Sequence, residues 1–407
     1  MKRRVVIYTY FSNIISKQKM KLKQLPSDFL VEEISSIQVS LERKPHSIFI
    51  MAKRELNTFD AIRLLSRKTT IPLYEIGYAG LKDKHAVTKQ YISIPSHYLI
   101  QFQNTERLSL FFVGYHNKKI KIGDLKGNKF DIVVRDIRHN KIDRIYEKMK
   151  CVSLFGVPNY FDSQRFGSVF NNEFIGKYLI KKKYEDAVKI FLTRYLKSES
   201  KHMKNEKRGI LTNWPYLEKV TIHNKVFARV IQEYLKNNNW LEAYKRIPAN
   251  LREMHVNAYQ SYLWNECVKE ILRARVNGRK IYSVKYAVGS LYFYKDLSDE
   301  ERSTIPSVFP TLSNTVKLSA FDSNIVSNIL SKEKSTLQDF DIKSLTGNFF
   351  KTRKRSVIIL PENIRISDPM DDELNRINGK PQKKITLSFS LPKGSYATIV
   401  TKRIFNQ

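Results

Sequence analysis

The chain has 407 residues, 42% of them hydrophobic and 27% charged, with 12% aromatic residues and a formal net charge of +33. That balance excludes a disordered chain and suits one large domain or two ordinary ones; the excess of lysine and arginine points to a polyanion, nucleic acid before an anionic membrane surface, with a lysine-rich compositional bias as the plain alternative. Two distant cysteines, Cys151 and Cys267, exclude a disulfide framework and a zinc ribbon, and no run of 18 apolar residues offers a membrane span.

Residues 1–19 carry a basic patch and an interrupted apolar stretch without a small-residue cleavage site, so no signal peptide is expected; they read as a leader extension or an over-long start, with ordered structure from Met20. The cysteine usage suits a reducing, cytoplasmic setting. "DFLVEEISSIQV" and "HSIFIMAKRE" alternate as β-strands, and "NTFDAIRLLSRKT" follows as a helix with Thr58 as its N-cap. "IGYAGL", "KDKHAVT" and "KQYISIP" read as strand, loop and strand; "IKIGDLKGNKFDIVVRDI" reads as strands about a turn at Gly127 and Asn128. Ile142, Ile145, Met149 and Val152 recur at helical spacing up to Gly156.

The texture changes after Gly167. "YEDAVKIFLTRYLKSESKHMKNEKRG" is helical and then heavily basic and loop-like, and long helices are expected near 224–237 and 255–275. Strands return at "RKIYSVKYAVGSLYFYKD", "RSVIILPENI" and "ITLSFSLPKGSYATIVTKRIF", the last alternating to the end. The order implies a domain that is interrupted and then completed by C-terminal strands.

No P-loop, dinucleotide-binding glycine motif, HExxH or CxxC occurs, so no nucleotide cofactor and no metal is expected. Asp83, in "AGLKDKHAVTKQ", stands between Lys82 and Lys84 with His85 and Lys89 beyond. Such an acid is ordinarily a turn former or a solvated charge. Basic neighbours also favour the carboxylate form, which can act as nucleophile or base at a sugar carbon. "GVPNYFDSQRFG" gathers aromatic and amide groups around Arg165, and "GSYAT" presents Tyr396 after a Gly-Ser turn. Each could be plain core; an aromatic ring in such a place could instead stack on a base.

Six segments, "PSDFLVEEI", "AGLKDKHAVTKQ", "GVPNYFDSQRFG", "NAYQSYLWN", "RSVIILP" and "SFSLPKGSYAT", occur in the order found in the TruD family of pseudouridine synthases, which this chain resembles over roughly residues 26–403. The resemblance implies a mixed α+β fold: a catalytic core with a mainly antiparallel sheet over 20–167 and 353–407, interrupted by an inserted α/β domain over 168–352. It implies isomerisation of uridine to pseudouridine in tRNA, usually at position 13, by a cofactor-free monomer whose partner is RNA. Asp83 matches the catalytic aspartate. Asn159, Tyr396, Phe29, Glu32, Lys82, Arg165 and Lys402 are the candidate substrate-binding residues. For Tyr396 the ring is expected to matter and the hydroxyl not. Leu81, Lys84, Asp162 and Lys402 depart from the residues frequent in the family. A non-catalytic RNA-binding protein on the same fold is the rival reading, and a glycosidase the third, which lacks a second carboxylate nearby.

Overall fold

The computed structural model describes residues 20–196, 199–342, 345 and 349–405, so the leader expected over residues 1–19 lies outside the described residues. The chain forms two compact units, 20–146 with 363–389, and 147–362 with 390–405. The divisions inferred from sequence lie after 167 and 352.

The chain opens with β1 (Lys21–Leu22), β2 (Phe29–Ser35), β3 (His46–Arg54), α1 (Thr58–Thr69), β4 (Gly77–Tyr78), β5 (Val87–Pro95), β6 (Leu108–His116) and β7 (Leu125–Ile137). It passes through α2 (Ile142–Phe155) to β8 (Val157–Pro158), α3 (Ile175–Ile180), α4 (Tyr184–Thr193), α5 (Lys201–Thr212), α6 (Lys225–Asn237), α7 (Trp240–Lys245) and α8 (Ala249–Arg275). Next come β9 (Ile281–Tyr286), β10 (Gly289–Tyr294), α9 (Asp299–Thr304), β11 (Val308–Pro310), α10 (Ala320–Lys332), β12 (Lys354–Ser356) and β13 (Ile358–Ile359). β14 (Glu362–Ile366), β15 (Met370–Ile377), β16 (Lys380–Pro392) and α11 (Ala397–Phe405) close the chain.

The first unit is built on a sheet of order β14–β16–β7–β2–β5–β3–β6, with β1 on β7, β15 on β16 and β4 on β5. β2 and β5 run parallel; β2–β7, β3–β5 and β3–β6 are antiparallel. Period-two alternation buries Phe29, Val31 and Glu33 of β2 and exposes Leu30 and Glu32. Ala61, Ile62 and Leu65 of α1 pack with Phe49, Met51, Ile92 and Ile94 of β3 and β5 in one apolar cluster. Each large side chain so buried contributes on the order of 1.5–3 kcal/mol. In the second unit α8 buries Tyr259, Leu263, Trp264, Cys267 and Ile271, and it packs on α3, α10 and β10. A helix with so many buried large side chains belongs at a core.

Four local expectations change. Asn57, not Thr58, caps α1: its Oδ1 accepts from the Asp60 amide at 2.8 Å, which frees the Thr58 hydroxyl for other partners. Gly127 and Asn128 do not turn; they pair with Ile34 and Glu33 inside an unbroken β7, and the turn is earlier, where Gly123 has φ +99°. "KHMKNEKRG" is helical, in α5. Ser200 caps it, and the buried Glu206 carboxylate accepts from the His223 and Asn224 amides at 2.8 Å. The final alternating stretch becomes α11 after Pro392, because burial of Ala397, Val400, Thr401 and Ile404 outweighs the β-preference of its branched residues.

Candidate active site

Asp83 lies in the loop between β4 and β5, and that loop is held at several points. Lys53 is wholly buried on β3, and its ammonium donates to the carbonyls of Leu56 (2.6 Å), Asp83 (2.8 Å) and, more weakly, Lys82 (3.4 Å). Burial pushes this ammonium down to about 8, against the pull of the Asp83 carboxylate. The Lys82 amide donates to the Thr58 hydroxyl at 2.9 Å, the Thr58 hydroxyl in turn donates to Gln90, and the Gln90 amide donates to the Gly80 carbonyl at 3.1 Å. The backbone around Asp83 is therefore fixed by a helix start and two strands.

The carboxylate itself is about one-third exposed, and Lys23 donates to its Oδ2 at 2.7 Å. Lys23 has φ +56° and its ammonium sits 3.8 Å from the centroid of the Phe29 ring. Phe29 is buried, edge-on to Phe130 at 6.2 Å, so it serves as a cation–π floor for Lys23. Lys82 is not a surface cation. It is buried with its ammonium on the carboxylate of Glu33, whose other oxygen accepts from the Tyr91 amide at 3.3 Å. Counted along Pro26–Glu33, the pattern PxDFxVxE ends on Glu33; Glu32 points to the exposed face of β2, so the inward carboxylate is its neighbour. Lys84, His85 and Lys89 are exposed.

Asn159, Arg165, Tyr396 and Lys402 belong to the second unit, where they meet around Phe161. β8 pairs with β13, and the Asn159 amide continues that pairing to the Val357 carbonyl at 2.8 Å. Arg355, in β12, donates to the Asn159 carbonyl (2.9 and 2.5 Å), to its Oδ1 (2.7 Å), to the Gly394 carbonyl (2.5 Å) and, more weakly, to the Tyr160 carbonyl (3.5 Å). The same guanidinium lies over Phe161 at 4.2 Å and Trp264 at 5.1 Å. Burial pushes it down to about 10, partly offset by the Tyr396 hydroxyl. Asn265 of α8 clamps the Phe161 backbone, accepting from its N–H at 2.9 Å and donating to its carbonyl at 2.8 Å.

Tyr396 is half-buried, its ring 6.1 Å from that of Phe161 at 67°. Its hydroxyl accepts from Arg165 Nε at 3.1 Å, so the phenol oxygen has a structural partner that the sequence expectation did not include. Lys402 donates to both oxygens of Asp162 (2.9 and 2.7 Å), a buried carboxylate that also accepts from the Ser163 amide. The two departures at 162 and 402 are thus one ion pair. Neither Lys402 nor Lys82 presents a free charge.

Comparison with known proteins decides what this arrangement belongs to. A family model described as tRNA pseudouridine synthase D (TruD) matches residues 7–404. The chain belongs to the TruD family. The "Probable tRNA pseudouridine synthase D 2" of Methanocaldococcus jannaschii is 40% identical over 95% of this chain and 92% of its own length. The tRNA pseudouridine synthase D of Aquifex aeolicus is 31% identical over 95% of this chain and 98% of its own. A solved TruD structure from Methanosarcina mazei superposes with a TM-score of 0.71 at 25% identity, covering 96% of this chain and 94% of that one. The TruD match, with a mixed and mainly antiparallel architecture, agrees with the fold and family expected from the six segments.

Sequence reasoning passed over Lys23, Lys53, Glu33, Phe161, Asn265 and Arg355. Asn265 ends and Arg355 opens quoted segments, "NAYQSYLWN" and "RSVIILP", yet only their partners show what they do. Lys23 and Lys53 carry no local signal among 72 basic residues.

Proposed function

We propose that this TruD protein isomerises uridine to pseudouridine in tRNA, at position 13, with Asp83 as the catalytic carboxylate. The observation that carries the reading is the Asp83 carboxylate paired with Lys23 on a loop pinned through Lys53, Thr58 and Gln90. A preorganised carboxylate is what substitution at a sugar carbon requires. The reaction breaks N1–C1′, turns the uracil and forms C5–C1′, with the C5 proton lost and N1 protonated, so no oxidant or outside energy enters.

Two routes use one carboxylate. Asp83 attacks C1′ and is later displaced by C5, or it takes the C2′ proton as uracil leaves and returns it to C2′ as C5–C1′ forms. Removing the base from its stack costs a few kcal/mol, and ring faces such as those of Tyr396 and Phe161 suit a base so extruded. Lys402 and Lys82 serve the protein's own carboxylates, so phosphate contacts fall to exposed cations such as Lys84 and Lys89. The reading places the protein in the cytoplasm, acting as a monomer. The described helices include none long and apolar enough to cross a membrane.

Asp83→Asn keeps size and hydrogen bonding and removes the charge. It is expected to lower single-turnover pseudouridine formation in a tRNA transcript by at least about a thousandfold, with RNA affinity within a few fold. Substantial product from the variant would remove Asp83 from the chemistry. Tight RNA binding by a wild type that makes no pseudouridine would favour the non-catalytic reading.

A further inference from the structure

In the first unit, away from Asp83, the loop from His116 to Asp124 joins β6 to β7 and forms one wall of a cavity of about 450 Å³. Its lining includes Gln38, His116, Lys118, Lys119, Lys121 and Asp124. That volume falls within the ~300–1,000 Å³ typical of ligand sites, and three of these six side chains are lysines. We infer that this cavity is a phosphodiester-binding subsite that grips the RNA backbone; the inference rests on the reading of the protein as a tRNA-modifying enzyme.

The loop is a built element. The Ile120 amide donates to the Ser93 hydroxyl at 2.9 Å, and the Gly123 amide donates to the Ala79 carbonyl at 2.8 Å. Lys119 reaches back to the Tyr74 carbonyl. The Asp124 carboxylate accepts from the Lys121 amide at 2.8 Å, which closes the turn and occupies one acidic oxygen with backbone. A Cβ on Gly77 would meet Ser93 Oγ at 2.4 Å and the Ile120 carbonyl at 2.5 Å, so only glycine lets the loop lie this close on β4. Ala79, the loop's anchor, stands four residues ahead of Asp83 on the same stretch of chain.

The cations here differ from those around Asp83. Lys23, Lys53 and Lys82 each hold a group of the protein. Lys118 and Lys121 are exposed, and neither has a carboxylate partner among the described residues. His116 places Nδ1 3.0 Å from the Gln38 carbonyl, which directs Nε2 elsewhere. Two unpaired ammonium groups on an anchored rim, beside an imidazole, match the charge and donors that a phosphodiester takes. Each phosphate neutralised by such a lysine releases counterion, which gives the site a signature separate from turnover.

The test is Lys118→Gln/Lys121→Gln in the full chain, with binding isotherms to an unmodified tRNA transcript between about 50 and 200 mM salt. The slope of log affinity against log salt is expected to fall by about 1.4–1.8, two contacts at ~0.7–0.9 each. Apparent KM should rise several-fold, the single-turnover rate at saturating RNA should stay at the wild-type value, and Lys118→Arg/Lys121→Arg should keep the wild-type slope. A wild-type slope in the Gln variant overturns the subsite. So does a fall no larger than that of Arg63→Gln/Arg67→Gln, exposed residues of α1 outside this cavity. An equal loss in the Arg variant, or a lowered melting temperature in both, assigns the lysines to folding and also overturns it. The slope needs no turnover: a wild type without pseudouridine would defeat the proposed function while leaving this measurement decisive for the subsite.

Discussion

Around Asp83 three lysines each set a compact ammonium on its own target: Lys23 on the carboxylate, Lys53 on loop carbonyls, Lys82 on Glu33. Around Asn159 the central cation is Arg355, whose planar fork serves four acceptor atoms while its faces lie on Phe161 and Trp264. An ammonium donates in three directions and fixes a loop from inside. A guanidinium donates in a plane and stacks across it, so it can bind strands together and keep a ring in place at once. In the proposed reaction the first device would hold the reacting carboxylate, and the second would hold the rings on which a base could rest. The comparison implies that Lys and Arg are not exchangeable in either region.

After the loss expected of Asp83→Asn, the largest effect should come from Arg355→Ala. It removes charged hydrogen bonds worth ~1.5–3 kcal/mol each and leaves the Asn159 carbonyl unpaired, so kcat/KM should fall more than about a hundredfold. Arg355→Lys should recover little of this, and a wild-type-like lysine variant would dissolve the distinction drawn above. Tyr396→Ala follows. Base–aromatic stacking of ~1–3 kcal/mol predicts a fall of about ten- to a hundredfold in kcat/KM, with a smaller change in melting temperature. Tyr396→Phe sharpens the contrast: it takes from Arg165 an acceptor worth ~1 kcal/mol, so a loss of about fivefold is expected where the sequence alone suggested none.

Lys53 sets a pH limit. Its folded value of about 8 lies below the ordinary 10.5, so between these the unfolded chain binds more protons. The stability that Lys53 contributes is therefore full above about 10.5 and is lost as pH falls through about 8. Activity runs the other way, because the neutral amine has two protons for three carbonyls. Single-turnover rates should decline as pH rises through about 8 while the melting temperature of wild type gains on that of Lys53→Met. A flat rate profile to pH 9 would separate Lys53 from the Asp83 loop. The smallest effect on activity belongs to Lys402→Ala, which strands the buried Asp162 carboxylate. It should cost about 1–3 kcal/mol, a melting shift of several degrees, with turnover nearly intact. Adding Asp162→Gly should return much of the stability.

Much of the architecture could be read along the chain. The alternation of β2 and β3, the amphipathic α1 and the apolar period of α2 are local patterns, and local patterns survive in sequence. Where reading failed, a partner distant in sequence had the decision. Gly127 and Asn128 look like a turn until β2 pairs with them. "ATIVTKRIF" looks like a strand until burial on several sides makes it α11. "KHMKNEKRG" looks solvated until His223 and Asn224 place their amides on Glu206.

The candidate site divides in the same way. Asp83, Asn159 and Tyr396 were legible because their segments resemble those of a known family in order and wording. The choice of Glu33 over Glu32 depends on which face of β2 is buried, a matter of one residue in a period of two. Lys82 and Lys402 read as substrate-binding residues because sequence shows charge and not its partner; Glu33 and Asp162 stand 49 residues before the one and 240 before the other. Composition and local pattern determined a basic, mixed α+β protein with an aspartate in a loop, and six segments in order carried its resemblance to the TruD family. Only the tertiary structure decided which cations are engaged and which are left for a polyanion, because an ion pair forms between chain segments that sequence keeps apart.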